Sequence, residues 1–187
     1  MHSLVLVVGD AVRAQLHAFA DYAKVEPYRV YVEGDQLTAM AEHFGLRVDD
    51  LEALAAKMPE WAGIKGEIHQ GKLSYWLRDN PNAKFEWYKI GGAFSGYLHL
   101  RQPRQPSAFG RMLGRKAVER VDHALKREIV IEEVLDSPPF ALLANGVWVE
   151  QGWSQDAPSD DAWRQQFAQR FHLLPDDAPL TVVDIHT

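Results

Sequence analysis

Polar residues near the two ends of the chain have the types and spacing of a divalent-metal site. His2 precedes the first apolar run, and Asp184 and His186 stand two positions apart in the last apolar segment. Residues i and i+2 of a β-strand point to the same face, so this pair can converge on one ion. Two imidazoles and a carboxylate suit a divalent cation that keeps open positions for water. Polar residues at strand ends, without a shared ion, are the alternative interpretation.

Sharing one ion requires the first and last strands to be neighbours in one sheet. We expect this to need parallel pairing, with antiparallel pairing leaving His2 near the start of the last strand. A metal centre of this kind would serve a hydrolase of a phosphate-containing substrate. The chain has no cysteine and lacks the Gly-x-Ser-x-Gly, phosphate-loop and His-Glu-x-x-His patterns. Thiolate chemistry is therefore excluded, and none of these motif-defined catalytic classes is indicated.

A dense aromatic segment, DNPNAKFEWYKIGGAFSGYL at 79–98, is the second candidate site. Apolar and polar residues alternate over 85–90 and 94–100 with a Gly-Gly pair between them, which predicts an aromatic hairpin near residues 85–100. Its aromatic side chains either pack across the hairpin or floor a binding groove with charged residues at the rim. The residues of that groove would be Lys84, Glu86, Trp87, Tyr88, Gly91 and Gly92.

Positive charge is concentrated between residues 101 and 127, although the chain carries a net charge of -6. Eight basic and two acidic residues give this segment a net charge of +6, which leaves -12 for the remainder. Such a segment can bind the phosphates of a nucleic acid, or it can pair with acidic groups of its own chain. The predicted basic patch consists of Arg111, Arg115, Lys116, Arg120, Lys126 and Arg127.

Length and composition favour a single domain over residues 1–187, with a possible helical insertion at about 35–60. Hydrophobic residues make up 47% of the chain and charged residues 25%, which are ordinary values for a globular protein. The first apolar run covers only residues 4–8, which is too short for a signal peptide or a membrane span. We therefore expect a cytoplasmic protein with no membrane partner.

Hydrophobic periodicity and turn residues predict an alternation of strands and helices. Strands are predicted at 3–8, 28–32, 85–90, 94–100, 140–144, 147–150 and 180–186. Helices are predicted at 10–23, 35–44, 48–58, 114–135 and from 159 or 160 to 171. Asn145-Gly146 between two strands favours a type I′ hairpin. This order predicts an α+β fold with a mixed or antiparallel sheet, in which the N- and C-terminal strands share one sheet and helices pack on it.

Three stretches of the sequence resemble the signature of a group of uncharacterised bacteriophage and prophage proteins. NPNAKFEWYKIGGAFSG looks like the group's Asn-Pro-x-(Ser/Ala)-Lys-Trp-Asp-Trp-Tyr-x-Ile-Gly-Gly-Arg-Trp-x-Gly pattern. The opening HSLVLVVGD and the ending LTVVDIH are similar to the group's two ends, so the resemblance covers nearly the whole chain. The matching positions are His2, Asn80, Pro81, Lys84, Trp87, Tyr88, Gly91, Gly92, Gly96, Asp184 and His186.

The resemblance implies a phage or prophage accessory protein, a group without an established activity. Ala93 departs from the pattern, which has an arginine after the two glycines as a fixed cation for a carboxylate or phosphate. Three function classes remain: a non-catalytic module that binds a host or mobile-element protein, a metal-dependent hydrolase, and a nucleic-acid binder acting through the basic segment. The interaction module is the expected class. Enzymatic activity stays open, and no cofactor beyond the divalent metal is predicted.

Overall fold

The computed structural model describes residues 1–114, 116–152 and 157–187. They form two compact units, one made of residues 1–23 with 81–187 and the other of residues 24–80. The helical insertion predicted at about 35–60 falls within the second unit. No helix of the described residues is long and apolar enough to cross a membrane.

Strands and helices alternate along the chain. The strands are β1 His2–Val8, β2 Tyr28–Tyr31, β3 Glu67–His69, β4 Lys72–Leu77, β5 Trp87–Ile90, β6 Leu98–Arg104, β7 Val118–Val121, β8 His123–Leu125, β9 Ala141–Ala144, β10 Val147–Glu150 and β11 Pro179–His186. The α-helices are α1 Val12–His17, α2 Gly34–Phe44, α3 Leu51–Ala62, α4 Ala108–Met112, α5 Ile131–Asp136 and α6 Asp160–His172. Two short 3-10 helices span Gly92–Phe94 and Lys126–Glu128.

A mixed six-stranded sheet is the centre of the first unit. Its strand order is β10-β9-β1-β11-β5, and β8 also pairs with β11. The first strand pairs in parallel with β9 and antiparallel with the last strand, so both end strands lie inside the sheet. The arrangement confirms the predicted α+β fold class, with the N- and C-terminal strands in one sheet and helices packed around it.

The first strand is buried on both faces because its apolar run is continuous. Leu6 lies on one face, in the hydrophobic cluster that contains Phe167 of α6. Val5 lies on the other face, in the cluster that contains Leu16 of α1. The sheet is therefore a middle layer between two cores, and its end strands are held by both of them.

Two local predictions are confirmed. The Ser159 hydroxyl caps α6 by accepting a hydrogen bond from the main-chain N–H of Ala162, in the first turn, at 3.3 Å. Trp163 and Phe167 are buried along one face of that helix. Asn145 and Gly146 connect β9 to β10 with φ angles of 52° and 75°. Positive φ at both positions is what a type I′ turn requires.

The predicted aromatic hairpin is wrong in its pairing, although both of its strands exist. β5 pairs with β11, and β6 pairs with β7. A 3-10 helix occupies the connection, with Gly91 and Gly92 at φ angles of 69° and 53°. Alternation and a Gly-Gly pair indicate two strands with a turn between them, but they do not determine which strands become neighbours.

The predicted helix over 114–135 is also wrong. This part of the chain contains β7, β8, the second 3-10 helix and α5. Apolar residues at near-helical spacing are instead distributed over separate elements, with Ile129 buried after the 3-10 helix. Residues 123–125 form a strand and not a helix because they pair with β11, which is distant in sequence. Whether a segment forms a strand depends on the strands and side chains it packs against, and not only on its own hydrophobic spacing.

The second unit has a core of its own. A three-stranded antiparallel sheet with the order β2-β4-β3 packs with α2 and α3. Met40, Leu54 and Leu73 are fully buried between them. The helix α2 ends at Gly45 with φ 63°, as predicted, whereas α3 continues through Pro59 beyond its predicted end at residue 58.

Candidate functional site

The first and last strands bring His2 and His186 together. The two strands pair antiparallel, with His2 opposite His186 and Leu4 opposite Asp184. The expectation that only parallel pairing unites these residues is therefore wrong. In an antiparallel pair, the first residue of one strand meets the last residue of the other, so the two chain ends supply one site.

Three residues form a row across β1, β11 and β5, and their rings cluster together. Trp87 lies opposite His186 in the β5–β11 pair, and directly opposite residues share a face of the sheet. The His186 and Trp87 rings are stacked, with centroids 5.1 Å apart and an interplanar angle of 7°. The His2 ring stands edge-on to both, with centroids 5.3 Å from His186 and 5.6 Å from Trp87. This row is named the histidine site below.

A buried carboxylate orients His2 in this row. Asp184 is 2% exposed, and its two oxygens lie 2.9 and 3.1 Å from Nδ1 of His2. The main-chain N–H of Ala93 donates a further hydrogen bond to Asp184 Oδ2 at 2.9 Å. A carboxylate accepts hydrogen bonds, so Nδ1 of His2 is the donor and Nε2 is left as the acceptor of the neutral ring. The His2 side chain is 48% exposed, which gives solvent access to it.

The Gly-Gly pair allows the chain to pass closely over two carboxylates. A Cβ atom on Gly92 would lie 2.4 Å from Cβ and Oδ2 of Asp184. A Cβ atom on Gly91 would lie 2.3 Å from an oxygen of Asp122, which accepts hydrogen bonds from Gly96 N–H at 2.6 Å and from the Ser95 hydroxyl at 3.0 Å. These glycines, predicted as groove residues, therefore leave room for two acidic side chains.

The second imidazole also faces a carboxylate. Nδ1 of His186 lies 3.4 Å from Oε2 of Glu86, which makes an ion-pair contact but no hydrogen bond with adequate geometry. The main-chain N–H of Glu86 donates to the His186 carbonyl at 2.8 Å, which holds the two residues side by side. Nε2 of His186 lies 3.4 Å from the Met1 amine. Each histidine thus has an acidic group at Nδ1.

The remaining predicted groove residues do not line one groove. Trp87 and Tyr88 are adjacent in a strand and point to opposite faces, so they cannot share a floor. Tyr88 packs on the face opposite the histidine site, with its ring centroid 5.8 Å from that of Phe85. Lys84 donates to Glu150 at 2.8 Å. Trp87 and Tyr88 therefore do not form one aromatic floor, and a binding role for the predicted residues stays a prediction.

The predicted basic patch is divided among several environments. Lys126 is buried and donates to the Leu174 carbonyl at 2.6 Å, so it is a structural residue. Arg120 pairs with Glu133 at 3.1 Å, and Arg111 donates to the Pro106 carbonyl at 2.9 Å. Lys116 and Arg127 are exposed. The predicted patch residue Arg115 lies outside the described residues.

Pairing around Glu133 shows how some of this charge is neutralised internally. His99 Nδ1 lies 2.6 Å from one oxygen of Glu133, and the Arg120 guanidinium bonds to the other. The hydrogen bond from His99, followed by its charge and that of Arg120, lowers the pKa of Glu133. These arginine and histidine side chains are therefore partly committed to contacts within their own unit.

The side chains of His2, Asp184 and His186 are not arranged to bind one metal ion together. Among the described residues, no three His, Asp or Glu side chains are arranged to hold a metal ion. Both oxygens of Asp184 are occupied by His2 and Ala93. Nε2 of His2 and Nε2 of His186 are the atoms that face away from the acidic groups. A carboxylate on Nδ1 with a cation on Nε2 is the usual arrangement of metal-bound histidine.

Two residues of this region were not found by sequence reasoning. Lys89 lies opposite Asp184 in the β5–β11 pair, and its alternation with Trp87 along β5 was the available signal. Asp122 had no signal, because its position under Gly91 depends on the fold.

Comparison with known proteins gave no match to a family model, to a curated protein or to a solved structure.

Proposed function

We propose that the protein is a hydrolase of phosphate-containing substrates with His2 as its central reacting group. The observation that carries this proposal is the 2.9 Å contact between Nδ1 of the half-exposed His2 and the buried carboxylate of Asp184. A general base needs a fixed tautomer and an accessible nitrogen. The contact with Asp184 supplies the first, and the exposure of the ring supplies the second.

A purely structural explanation accounts less well for the same contact. Removing a carboxylate from water is costly, and a buried ion pair is often no more stable than apolar packing of the same size. Asp184 nevertheless points into a space that the chain keeps open for it, since Gly92 has no side chain there. Such an arrangement is understandable if the orientation of His2 matters for activity.

The neighbouring groups favour an anionic substrate. Lys89 is exposed, lies on the same face as Asp184 and Trp87, and makes no ion pair with any described residue. A lysine ammonium at the edge of the site suits a phosphate group. The exposed ring of Trp87 offers a flat surface for an apolar or aromatic part of the substrate. His186 supplies a second imidazole within the same row.

Two versions of the chemistry use the same atoms. In the first version, Nε2 of His2 accepts a proton from the attacking water, and His186 protonates the leaving group. In the second version, His2 and His186 would hold a divalent cation through Nε2, after displacement of the Met1 amine that lies 3.4 Å from Nε2 of His186. The cation would supply a lowered pKa for a bound water. Asp184 orients His2 in either version, and the experiment below separates them.

The test is hydrolysis of bis(p-nitrophenyl) phosphate and p-nitrophenyl phosphate by protein purified without a histidine tag. We expect turnover by the wild type, loss of turnover in His2→Gln, and retention in the control His172→Gln, whose side chain is exposed on α6. EDTA treatment followed by addition of Mn²⁺ or Zn²⁺ distinguishes a metal-dependent rate from direct acid–base catalysis. A wild-type rate no higher than buffer, or an unchanged rate in His2→Gln, would refute the proposal.

A second candidate function is the interaction module expected from the sequence. Its specific support is a set of exposed apolar side chains on the arm, defined here as residues 98–114 and 116–121. Phe109 is 66% exposed, and three other apolar side chains lie exposed on the same arm: Met112, Leu113 and Val118. The exposed Lys116 adds positive charge to the arm. We propose an acidic protein partner with apolar side chains, and the phage or prophage origin stays part of this proposal.

Affinity capture from a bacterial lysate tests the arm. The double variant Phe109→Ser/Met112→Ser removes exposed apolar surface, and Leu173→Ser removes an equally exposed side chain from the end of α6. We expect a protein that binds to the wild type and to Leu173→Ser, and that is lost with the double variant. Identical sets of captured proteins from all three baits would exclude the arm as the binding surface.

A further inference from the structure

A cavity of about 390 Å³ lies between β6 and the 3-10 helix at Lys126–Glu128. Its charged lining consists of Arg101, Arg104, Arg127 and Glu128, and its apolar lining includes Leu100 and Pro103. This volume is within the usual range for a small-molecule site. Three guanidinium groups and one carboxylate give the lining a net charge of +2. The cavity shares no residue with the histidine site.

Two of the three arginines are held in place. Arg101 donates from Nε to the Ile129 carbonyl at 2.7 Å, which fixes the plane of its guanidinium group. Arg104 donates from a terminal nitrogen to Glu128 Oε2 at 2.9 Å. That carboxylate also accepts the Leu125 N–H at 3.0 Å. Fixed guanidinium groups lose less side-chain entropy when they bind a ligand.

The charge of this lining is stable at neutral pH. The hydrogen bond from Leu125, together with Arg104 and Arg127, lowers the pKa of Glu128, so this carboxylate stays ionised. It neutralises one guanidinium group and leaves two positive charges. The Arg127 side chain makes no hydrogen bond or ion pair with any described residue. The guanidinium group of Arg127 is therefore available to bind a ligand in the cavity.

We propose that this cavity binds a phosphate group. A dianionic phosphate matches the net charge of +2, and its tetrahedral oxygens can accept from several guanidinium groups at once. Leu100 and Pro103 line the same cavity and suit a non-polar part of the ligand. The group can belong to a small phosphorylated molecule or to a nucleic-acid backbone. Binding here is additional to the proposed hydrolysis, because it uses none of the same side chains.

Calorimetric titration with two probes, inorganic pyrophosphate and a dT12 oligonucleotide, tests this site. We expect one probe or both to bind, and we expect Arg127→Gln and Arg101→Gln to weaken that binding by about tenfold or more, as loss of a charged hydrogen bond predicts. Arg164→Gln is the matched control, because this arginine lies on α6 and pairs with Asp161. Urea unfolding of each variant confirms that the fold is intact.

The outcomes separate the source of the phosphate and the site that binds it. Binding of pyrophosphate supports a small ligand, and binding of the oligonucleotide alone supports a nucleic-acid backbone. His2→Gln is expected to keep the binding that Arg127→Gln loses, which separates this cavity from the histidine site even if the hydrolase proposal fails. Absence of binding by both probes, or equal affinity in Arg127→Gln and Arg164→Gln, would overturn the proposal.

Discussion

Alanine in place of Gly92 is expected to lower the free energy of unfolding by about 3 kcal/mol. The new Cβ would lie 2.4 Å from Cβ and Oδ2 of Asp184, so the chain or the carboxylate must move. Overpacking of this kind costs about 1–3 kcal/mol. The φ angle of 53° adds about 1–2 kcal/mol for a residue that has a side chain. Urea denaturation monitored by tryptophan fluorescence measures the sum.

Gly146→Ala is the matched control for Gly92→Ala. Gly146 also has a positive φ, 75°, but beyond its chain neighbours a Cβ atom there meets no atom of the described residues within 4 Å. The control therefore measures the conformational cost alone, about 1–2 kcal/mol. The excess loss in Gly92→Ala then reports the contact with Asp184. Equal losses in the two variants would contradict the close approach between Gly92 and Asp184.

Asparagine in place of Asp184 is expected to reduce phosphodiester hydrolysis by about 10² to 10⁴-fold, the usual contribution of a positioned general base. The amide of asparagine replaces one carboxylate oxygen by an NH₂ donor and removes the negative charge, so His2 Nδ1 loses its contact with two acceptor oxygens. The one remaining oxygen must accept from both His2 Nδ1 and Ala93 N–H, or the NH₂ group faces one of these donors. The orientation and the tautomer of His2 are then no longer fixed. This prediction rests on the proposed function and is measured as kcat in the same assay.

A spectroscopic measurement separates this role of Asp184 from a structural one. Nitrogen-15 NMR of the histidine rings is expected to show His2 protonated at Nδ1 in the neutral wild type, and a mixture of tautomers in Asp184→Asn. Asp122→Asn is the control, because Asp122 is also a carboxylate under a glycine but does not contact His2. An unchanged His2 tautomer together with an unchanged rate in Asp184→Asn would rule out the orienting role.

Predictions that depend on neighbours in sequence were the reliable ones. The Asn145-Gly146 turn follows from the tolerance of these two residues for positive φ. The helix α6 follows from a serine cap and from Trp163 and Phe167 at a spacing of one helical turn. In both cases the conformation is determined by a few residues, and the fold accommodates it without change.

Predictions that depend on a choice of partner were less reliable. The segment after Gly114 has helical spacing of its apolar residues but forms strands, because β11 offers an edge to β8. β5 lies within the predicted strand 85–90, whereas β6 begins at Leu98, four residues after the predicted start, and continues through Arg104. Both pair with strands other than each other. Hydrophobic spacing indicates which residues are buried, but it does not indicate which other element they pack against.

The sequence by itself predicted that two apolar end strands belong to one sheet. It also identified His2, Asp184 and His186 as candidate site residues. Only the tertiary structure decided that the strands run antiparallel, that His2 meets Asp184 across 182 positions of the chain, and that Gly92 makes room for this carboxylate. Strand direction and close approach depend on packing between residues that are far apart in sequence, and local preferences carry no information about them.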